Sequence, residues 1–511
     1  MEWRHIAAAR RFLDGERGAI IRDWGGQVPI VLGYPNSYGV GMSSLAVHGL
    51  YRWFNALPGV TCERAFAWLD RPATATDPLL TLESQRPVQE AAALAISASF
   101  ELDYFHIVSM VQRAGIPVRA AERTAENPLV ILGGPAVSAN PAPLADVADA
   151  IVIGEAEPIL AELAAAIGDT WRHDRAATLA TLARIPGVYV PLVSRDGPVQ
   201  RLWQDDLDAY PTATCIGTPQ AAFGDMHLIE ISRGCGRGCR FCLAGYWYRP
   251  RRERSLASVL EQAREGLAHG HKLGLVAAAV SDYGPIDELV AELRGMGAEI
   301  SASSLRIAPL SASLVRALAD SGSRSLTLAP EAGSQRLRDA ISKGITHDEI
   351  LTAVALAATQ PFESLKLYFM LGLPGETDDD IAALLELAGE VRAVFRRHVV
   401  VNVTPYVPKA HTPWQRVAMA RAEAVRERLR RLRDGLRAMH VEFRSEGESD
   451  AELQAVLARG DRRVGAALAG LERPAPKAFL RALRQAGVDL GEYTGEFAAD
   501  APLPWDMIDV Y

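Results

Sequence analysis

Short apolar runs alternate with helical patterns twice along this chain, and that alternation limits the fold more than any other feature. Val28–Tyr34, Ala92–Ser99, Leu129–Leu132 and Ala148–Ile153 read as buried strands. Each is followed by a segment of helical periodicity, at Met42–Leu57, Tyr104–Gly115, a Pro-rich loop and helix, and Glu157–Ile167. Strands alternating with helices require a parallel sheet covered on both faces, with ligands at the carboxyl ends of its strands. After an irregular stretch the alternation resumes, with strands expected at His227–Ile231, Leu273–Val280, Ile300–Ser304, Ser325–Ala329, Ser364–Met370 and Val399–Thr404. Six such units suit a partial (β/α)6 barrel whose loops after the strands carry function. The expected α/β architecture is therefore a doubly wound, Rossmann-like domain over 1–170, a linker at 171–225, a partial barrel at 226–410 and a helical cap at 411–511. A chain of 511 residues is too long for one core, which agrees with several domains.

The formal net charge of −8 argues against a nucleic-acid binder held by bulk charge. No apolar run approaches the ~18–20 residues of a membrane span, so no membrane partner is expected. The N-terminus shows no signal-peptide core, and a cytoplasmic enzyme is the expectation. Seven arginines lie between Arg421 and Arg437 against Glu423, Glu427 and Asp434, a pattern that favours a solvated helix with ion pairs over an RNA- or anion-facing surface.

Three of the five cysteines fall within eight residues, in Ser232–Cys242 (SRGCGRGCRFC), directly after an expected strand. Cys62 and Cys215 are isolated and read as inert thiols. Clustered thiolates point to metal rather than disulfides. Three cysteines cannot complete a tetrahedral zinc site, and no histidine stands at finger spacing. An iron–sulfur cluster accepts three thiolates and keeps one iron open. Gly234, Gly236 and Gly238 let the backbone fold closely around such a group.

This Cys-x3-Cys-x2-Cys loop, with Phe241 before the third cysteine, resembles the signature of the radical S-adenosylmethionine (SAM) superfamily. The resemblance implies that Cys235, Cys239 and Cys242 hold a 4Fe–4S cluster whose open iron chelates SAM, and that one electron then cleaves the sulfonium. It also implies a low-potential electron donor such as flavodoxin or ferredoxin. Leu371–Glu376 (LGLPGE) is similar to the superfamily segment that packs on adenine, which assigns Gly372 and Leu373 to SAM. Ser304, Arg306 and Glu331 stand at ends of the preceding strands, placed for carboxylate and ribose, and Tyr248 for adenine. The usual Gly-Gly-Glu segment that holds the SAM amine is replaced by Ala278–Tyr283 (AAVSDY), leaving backbone carbonyls, Ser281 or Asp282 for that role.

A doubly wound domain ahead of such a barrel resembles the cobalamin-binding subclass, in particular class B radical SAM methyltransferases. The matches are Ser97–Glu101, Gly133-Gly134-Pro135 and Gly154–Glu157. They imply a corrinoid near Tyr38, Gly39, Ser97, Ser99, Gly133, Gly134, Pro135 and Glu155. The Asp-x-His-x-x-Gly motif that supplies a lower cobalt ligand in many cobalamin proteins is absent. His48 and His106 fall within expected helices, so a bound cobalamin is expected without histidine beneath cobalt. The implied activity is methyl transfer to an unactivated carbon or phosphorus centre. A radical rearrangement, cyclisation or oxidation, with cobalamin as redox partner or absent, and a cluster-bearing sensor or RNA-binding module without turnover are the alternatives. The substrate, whether small molecule, peptide or RNA, and the catalytic residues are not named by the sequence.

Overall fold

The computed structural model describes residues 3–193, 197–302 and 305–510. The chain forms two compact units. The first comprises Met1–Met226, Val456–Tyr493 and Asp500–Tyr511; the second comprises His227–Ala455 and Thr494–Ala499.

In the first unit, strands β1 (Val28–Ser37), β2 (Val60–Trp68), β3 (Ala93–Ser97), β4 (Leu129–Gly133), β5 (Ala150–Val152) and β6 (Val188–Tyr189) form one sheet in the order β2-β1-β3-β4-β5-β6. All neighbours are parallel except β5 and β6. Ile30, Leu32, Leu94, Ile96, Val130 and Leu132 are buried, as strands covered on both faces require. The strand order reverses between β1 and β3, which places the crevice of this doubly wound sheet at the loops following those two strands.

Strand β2 has no counterpart in the sequence expectations, because Glu63-Arg64 interrupts its apolar pattern. Both charges are buried. Arg64 pairs with Glu83 at 2.7 Å and Glu16 at 2.6 Å, and the Trp24 indole donates to Glu63 at 2.8 Å. Countercharges distant in sequence compensate the desolvation.

Two expected boundaries are corrected. Residues 171–225 are no separate linker: Arg175–Leu182 is helical, β6 extends the sheet, and β7 (Val199–Gln200) pairs with the C-terminal strand β17 (Ile508–Asp509). Nor is 411–511 one cap. Helix Ala422–Ala438 and the strand that follows it belong to the second unit, whereas Val456–Tyr493 belongs to the first. There Asn140 donates to the carbonyls of Ala458 (3.1 Å) and Gly460 (2.8 Å), and the Phe105 and Phe479 rings meet edge to face.

The second unit holds seven parallel strands among the described residues. A three-stranded sheet has the order β12-β11-β8 (Glu299–Ala302, Lys272–Val276, His227–Glu230). A four-stranded sheet has the order β13-β14-β15-β16 (Ser325–Glu331, Ser364–Leu371, His398–Pro405, Glu442–Ser445). The six expected strands are present with shifted ends, and β16 is additional. Its short, charged sequence hides it; only pairing with β15 defines it. Along β14, buried Leu365, Leu367, Phe369 and Leu371 alternate with more exposed residues. The apolar face is thus covered, while on the opposite face Ser364, Lys366 and Met370 are half-buried and Tyr368 is exposed.

Candidate cluster and SAM site

The cysteine loop is closed at its base by two antiparallel strands, β9 (Ser232–Arg233) and β10 (Arg252–Glu253). Gly234 has φ +82°, and a Cβ there would lie 2.2 Å from the Tyr248 carbonyl oxygen. That glycine serves the closure of the loop. Gly236 and Gly238 differ, since an added Cβ would meet nothing nearer than 3.6 Å and 4.0 Å. Their smallness is not consumed by protein packing, which fits a group seated against the loop.

Cys239 is buried, Cys235 and Cys242 half-buried, and all three are free thiols. Burial pushes the Cys239 thiol up, while Lys343 and Arg306 pull it down. Burial likewise raises Cys242, opposed by the Gly245 backbone N–H. Each of these thiols feels Cys235, so the three share one electrostatic environment. No three His, Cys, Asp or Glu side chains among the described residues converge as around a single metal ion. A 4Fe–4S cluster spreads its thiolates over separate irons, and the donor set fits it.

Charged residues from successive strand ends surround the loop. Glu230, ending β8, pairs with Arg233 (2.9 Å) and Arg254 (2.6 Å). Burial opposes its ionisation, but the two guanidinium groups outweigh that and hold the carboxyl below its usual range. Arg237, between the first two cysteines, donates two 3.1 Å hydrogen bonds to Asp282, and Arg306 approaches the same carboxylate at 3.7 Å. Asp282 comes from the segment standing where the Gly-Gly-Glu motif was expected. Ser281 is buried and accepts the Arg306 backbone N–H at 3.0 Å. Its hydroxyl orders the Arg306 loop. Glu331 adopts φ +68° at a register shift in β13 and pairs with Lys343 at 2.8 Å. A non-glycine residue held in the left-handed region beside a cysteine loop marks strain kept at a site. The resulting cations and anions suit the carboxylate and ammonium of an amino acid.

Gly372 takes φ +79° and donates its N–H to Glu376 at 2.7 Å; Arg428 donates to the same oxygen, Oε2, at 2.8 Å. Desolvation raises the Glu376 carboxyl from 4.5 to about 7, against the pull of the Gly372 N–H and Arg428. Leu373 is buried in an apolar cluster with Ala332, Leu337, Ile341, Tyr406 and Trp414, against which Phe241 and Met370 pack. The cysteine loop and the Gly372 turn therefore meet through Phe241. The expectation that Leu373 lies against adenine is corrected: its side chain is covered by protein. Tyr248 is half-buried, with its carbonyl over Gly234. Ser304 lies outside the described residues.

In the first unit, Ser97 pairs with Gly133 across β3 and β4, and Gly134 (φ +92°) packs where a Cβ would lie 2.5 Å from the Ala98 carbonyl oxygen. Ser97, Ser99, Gly133, Gly134 and Pro135 are thus brought together, though the Gly134 conformation serves close approach of two loops. Glu155 is buried and accepts the Gln204 N–H at 2.8 Å. Tyr38 is corrected as well. Its ring is buried between Phe12 and Phe66, and its hydroxyl donates to Glu16 at 2.6 Å. Gly39 is half-buried beneath the 220–222 backbone, to which its carbonyl bonds at 2.8 Å through Ala222. At the β1/β3 crevice, Asn36 donates to Asp103 at 3.1 Å and His106 Nδ1 meets the Pro35 carbonyl at 3.0 Å. His48 is buried, with Nε2 on the Met42 carbonyl and Nδ1 facing Cys215. Burial pushes the Cys215 thiol up to about 11 and the Cys62 thiol well above its ordinary value, as inert thiols require.

Sequence reasoning missed Lys343, Glu376 as a brace, Glu230 and Arg428. The Arg-Gly spacing in the cysteine loop hinted at Arg237 alone.

The fold and this site define a radical SAM protein. Residues 46–191 match the family "Radical SAM proteins, N-terminal", and residues 229–388 match the Radical SAM superfamily. The chain belongs to that superfamily and is an enzyme, which brings a 4Fe–4S cluster and SAM. It shares a family with the uncharacterized protein MJ0966 of Methanocaldococcus jannaschii, at 31% identity over 91% of this chain and 95% of that protein. The tRNA-2-methylthio-N(6)-dimethylallyladenosine synthase of Chlorobium phaeovibrioides is 28% identical over 32% of this chain and 40% of its own length. Among solved structures, the cobalamin-dependent SAM radical enzyme OxsB with aqua-cobalamin bound is similar at TM-score 0.53 and 13% identity. That likeness covers 84% of this chain and 66% of OxsB, and it is a likeness of fold. Among the described residues no helix is long and apolar enough to cross a membrane.

Proposed function

We propose that the chain is a cobalamin-dependent radical SAM methyltransferase acting on an unactivated centre. The cobalamin part of this reading is supported by the fold likeness to the cobalamin-dependent OxsB over 84% of the chain, and methyl transfer by the resemblance of the paired doubly wound domain and barrel to class B methyltransferases. When bound, the cluster and SAM supply a radical, and cobalamin supplies a methyl carrier. Cys235, Cys239 and Cys242 would hold the cluster. Arg306, Asp282, Glu331 and Lys343 would orient the amino-acid end of SAM, and the Gly372 turn would meet its adenosine. Ser97, Ser99 and Gly133–Pro135 would line the corrinoid crevice. A low-potential flavodoxin or ferredoxin would deliver the electron.

The test is anaerobic turnover with methyl-labelled SAM. Label in product together with 5′-deoxyadenosine and S-adenosylhomocysteine supports methyl transfer. 5′-Deoxyadenosine without methylated product moves the reading to rearrangement or oxidation. The tRNA relatives favour methylthiolation as a second reading, but outside the cysteine loop only Cys62 and Cys215 remain, both inert, so the chain has no second thiolate triad for a sulfur-donating cluster.

A further inference from the structure

Strand β2 is the outer strand of the first unit's sheet, separated from the β1/β3 crevice by β1, and its free edge must satisfy its backbone groups outside the sheet. Alternate residues of a strand turn their N–H and C=O to the same edge. At Cys62 the N–H donates to the Asn55 side-chain oxygen at 3.1 Å, and the carbonyl accepts the Asn55 amide at 3.0 Å. At Arg64 the N–H donates to Glu83 at 2.8 Å, and the carbonyl accepts the Leu82 N–H at 2.7 Å. Phe66 and Trp68 follow on the same edge. Their outward N–H and C=O groups have no partner among the described residues, although Phe66 is buried. Buried backbone groups are nearly always paired, so this stretch of edge is unfinished.

Both residues line a cavity of about 530 Å³, walled also by helix Trp3–Asp14 and by segment 69–82. Ala8, Leu69 and Leu80 make its walls apolar, and Arg4, Arg11 and Arg71 bring cations to it. Arg4 and Arg11 pair with Asp77 (3.5 Å) and Asp70 (2.5 Å). Arg71 is exposed and has neither a hydrogen bond nor an ion pair among the described residues. His5 Nδ1 is buried and unsatisfied, its Nε2 being taken by Asp77 at 3.1 Å.

We propose that the β2 edge docks an extended acidic peptide segment of a partner protein, which adds to the sheet as a further strand at Phe66 and Trp68. An extended peptide repeats its N–H and C=O pair every two residues, about 6.7 Å, which is the repeat of the two unpaired edge residues. Main-chain hydrogen bonds then supply affinity, and alternate side chains supply specificity. The apolar walls take one set of side chains, and Arg71 selects carboxylates among the other. The edge lies inside a walled cavity, which a single extended segment can enter and the sheet of a second copy of this chain cannot.

Fluorescence anisotropy on the full chain tests this with dye-labelled, end-blocked pentapeptides in which aspartate alternates with valine, leucine or phenylalanine. At least one is expected to bind saturably, and more tightly than its counterpart with lysine in place of aspartate. N-methylation of one alternate set of its amides should weaken binding about 5-fold or more for each amide blocked, while methylation of the other set, which faces away from β2, leaves affinity unchanged. Ala8→Trp, which fills the cavity from the helix, should abolish binding. Arg71→Glu, at an exposed position that folding does not depend on, should weaken the aspartate peptide about 2- to 5-fold and narrow its advantage over the lysine peptide. Absence of binding by all three aspartate peptides, equal effects of the two methylation sets, or wild-type affinity in both variants overturns the proposal. A dimer of the full chain that the pentapeptides dissociate, seen by light scattering, would assign the edge to a second copy and overturn it as well.

Discussion

Replacing Glu376 by glutamine isolates the electrostatics that hold the Gly372 turn. Both hydrogen bonds to Glu376 fall on Oε2, from the Gly372 N–H and from Arg428, leaving Oε1 to carry a proton. Burial raises this carboxyl from 4.5 to about 7. Between those values the folded state holds a proton that the unfolded chain has released. The stability contributed by the protonated group is fully present below pH 4.5 and is lost as pH rises through about 7. Integrated from pH 5 to pH 8, the loss is about 2.5 kcal/mol. For a unit of this size that corresponds to a fall of roughly 5–10 °C in Tm. Glu376→Gln keeps the shape and an acceptor but cannot titrate, so its Tm should fall that much less over the same interval. Anaerobic thermal unfolding of both proteins at pH 5 and pH 8 measures the difference of differences, which removes every other titrating group. Equal falls in the two proteins would refute the reasoning, and would mean that Arg428 and the Gly372 N–H keep the carboxylate ionised throughout.

Converting Cys235, Cys239 and Cys242 together to alanine should abolish the ~4 irons per chain of a reconstituted cluster and all 5′-deoxyadenosine formation, whereas Cys62→Ala and Cys215→Ala should retain both; iron assay and chromatography decide. Arg64→Ala should destabilise the first unit by about 3–5 kcal/mol, because Glu16 and Glu83 stay buried without their cation, and thermal unfolding should show the matching drop in Tm. Gly234→Ala should prevent cluster assembly by forcing the loop closure off the Tyr248 carbonyl, seen as lost visible absorbance after reconstitution. Protein produced with cobalamin should copurify with it in a form lacking histidine nitrogen coupling in its electron paramagnetic resonance spectrum. Nitrogen coupling that disappears in His106→Ala would refute this and assign His106, whose side chain is 40% exposed whereas His48 is buried.

The sequence by itself determined the parallel α/β class, six of the seven parallel strands in the second unit, and the Cys-x3-Cys-x2-Cys loop that follows the first of them. Those features are written locally, in hydrophobic period, loop glycines and spacing. Arg421–Arg437 reads as a solvated helix with i,i+4 ion pairs; the helix Ala422–Ala438 forms, but Arg426 and Arg428 pair outside it with Glu448 and Glu376, and Arg430 pairs with Glu427 three residues away. Only the tertiary structure decided that β2 is a strand, because its buried Arg64 is neutralised by Glu16 and Glu83 from elsewhere in the chain. It also decided that the C-terminal hundred residues divide between the two units, that Tyr38 and Leu373 turn into cores, and that Arg237, Asp282 and Arg306 form one charged group. Each depends on partners distant in sequence, and a local pattern carries no record of which distant charge or ring will fold against it.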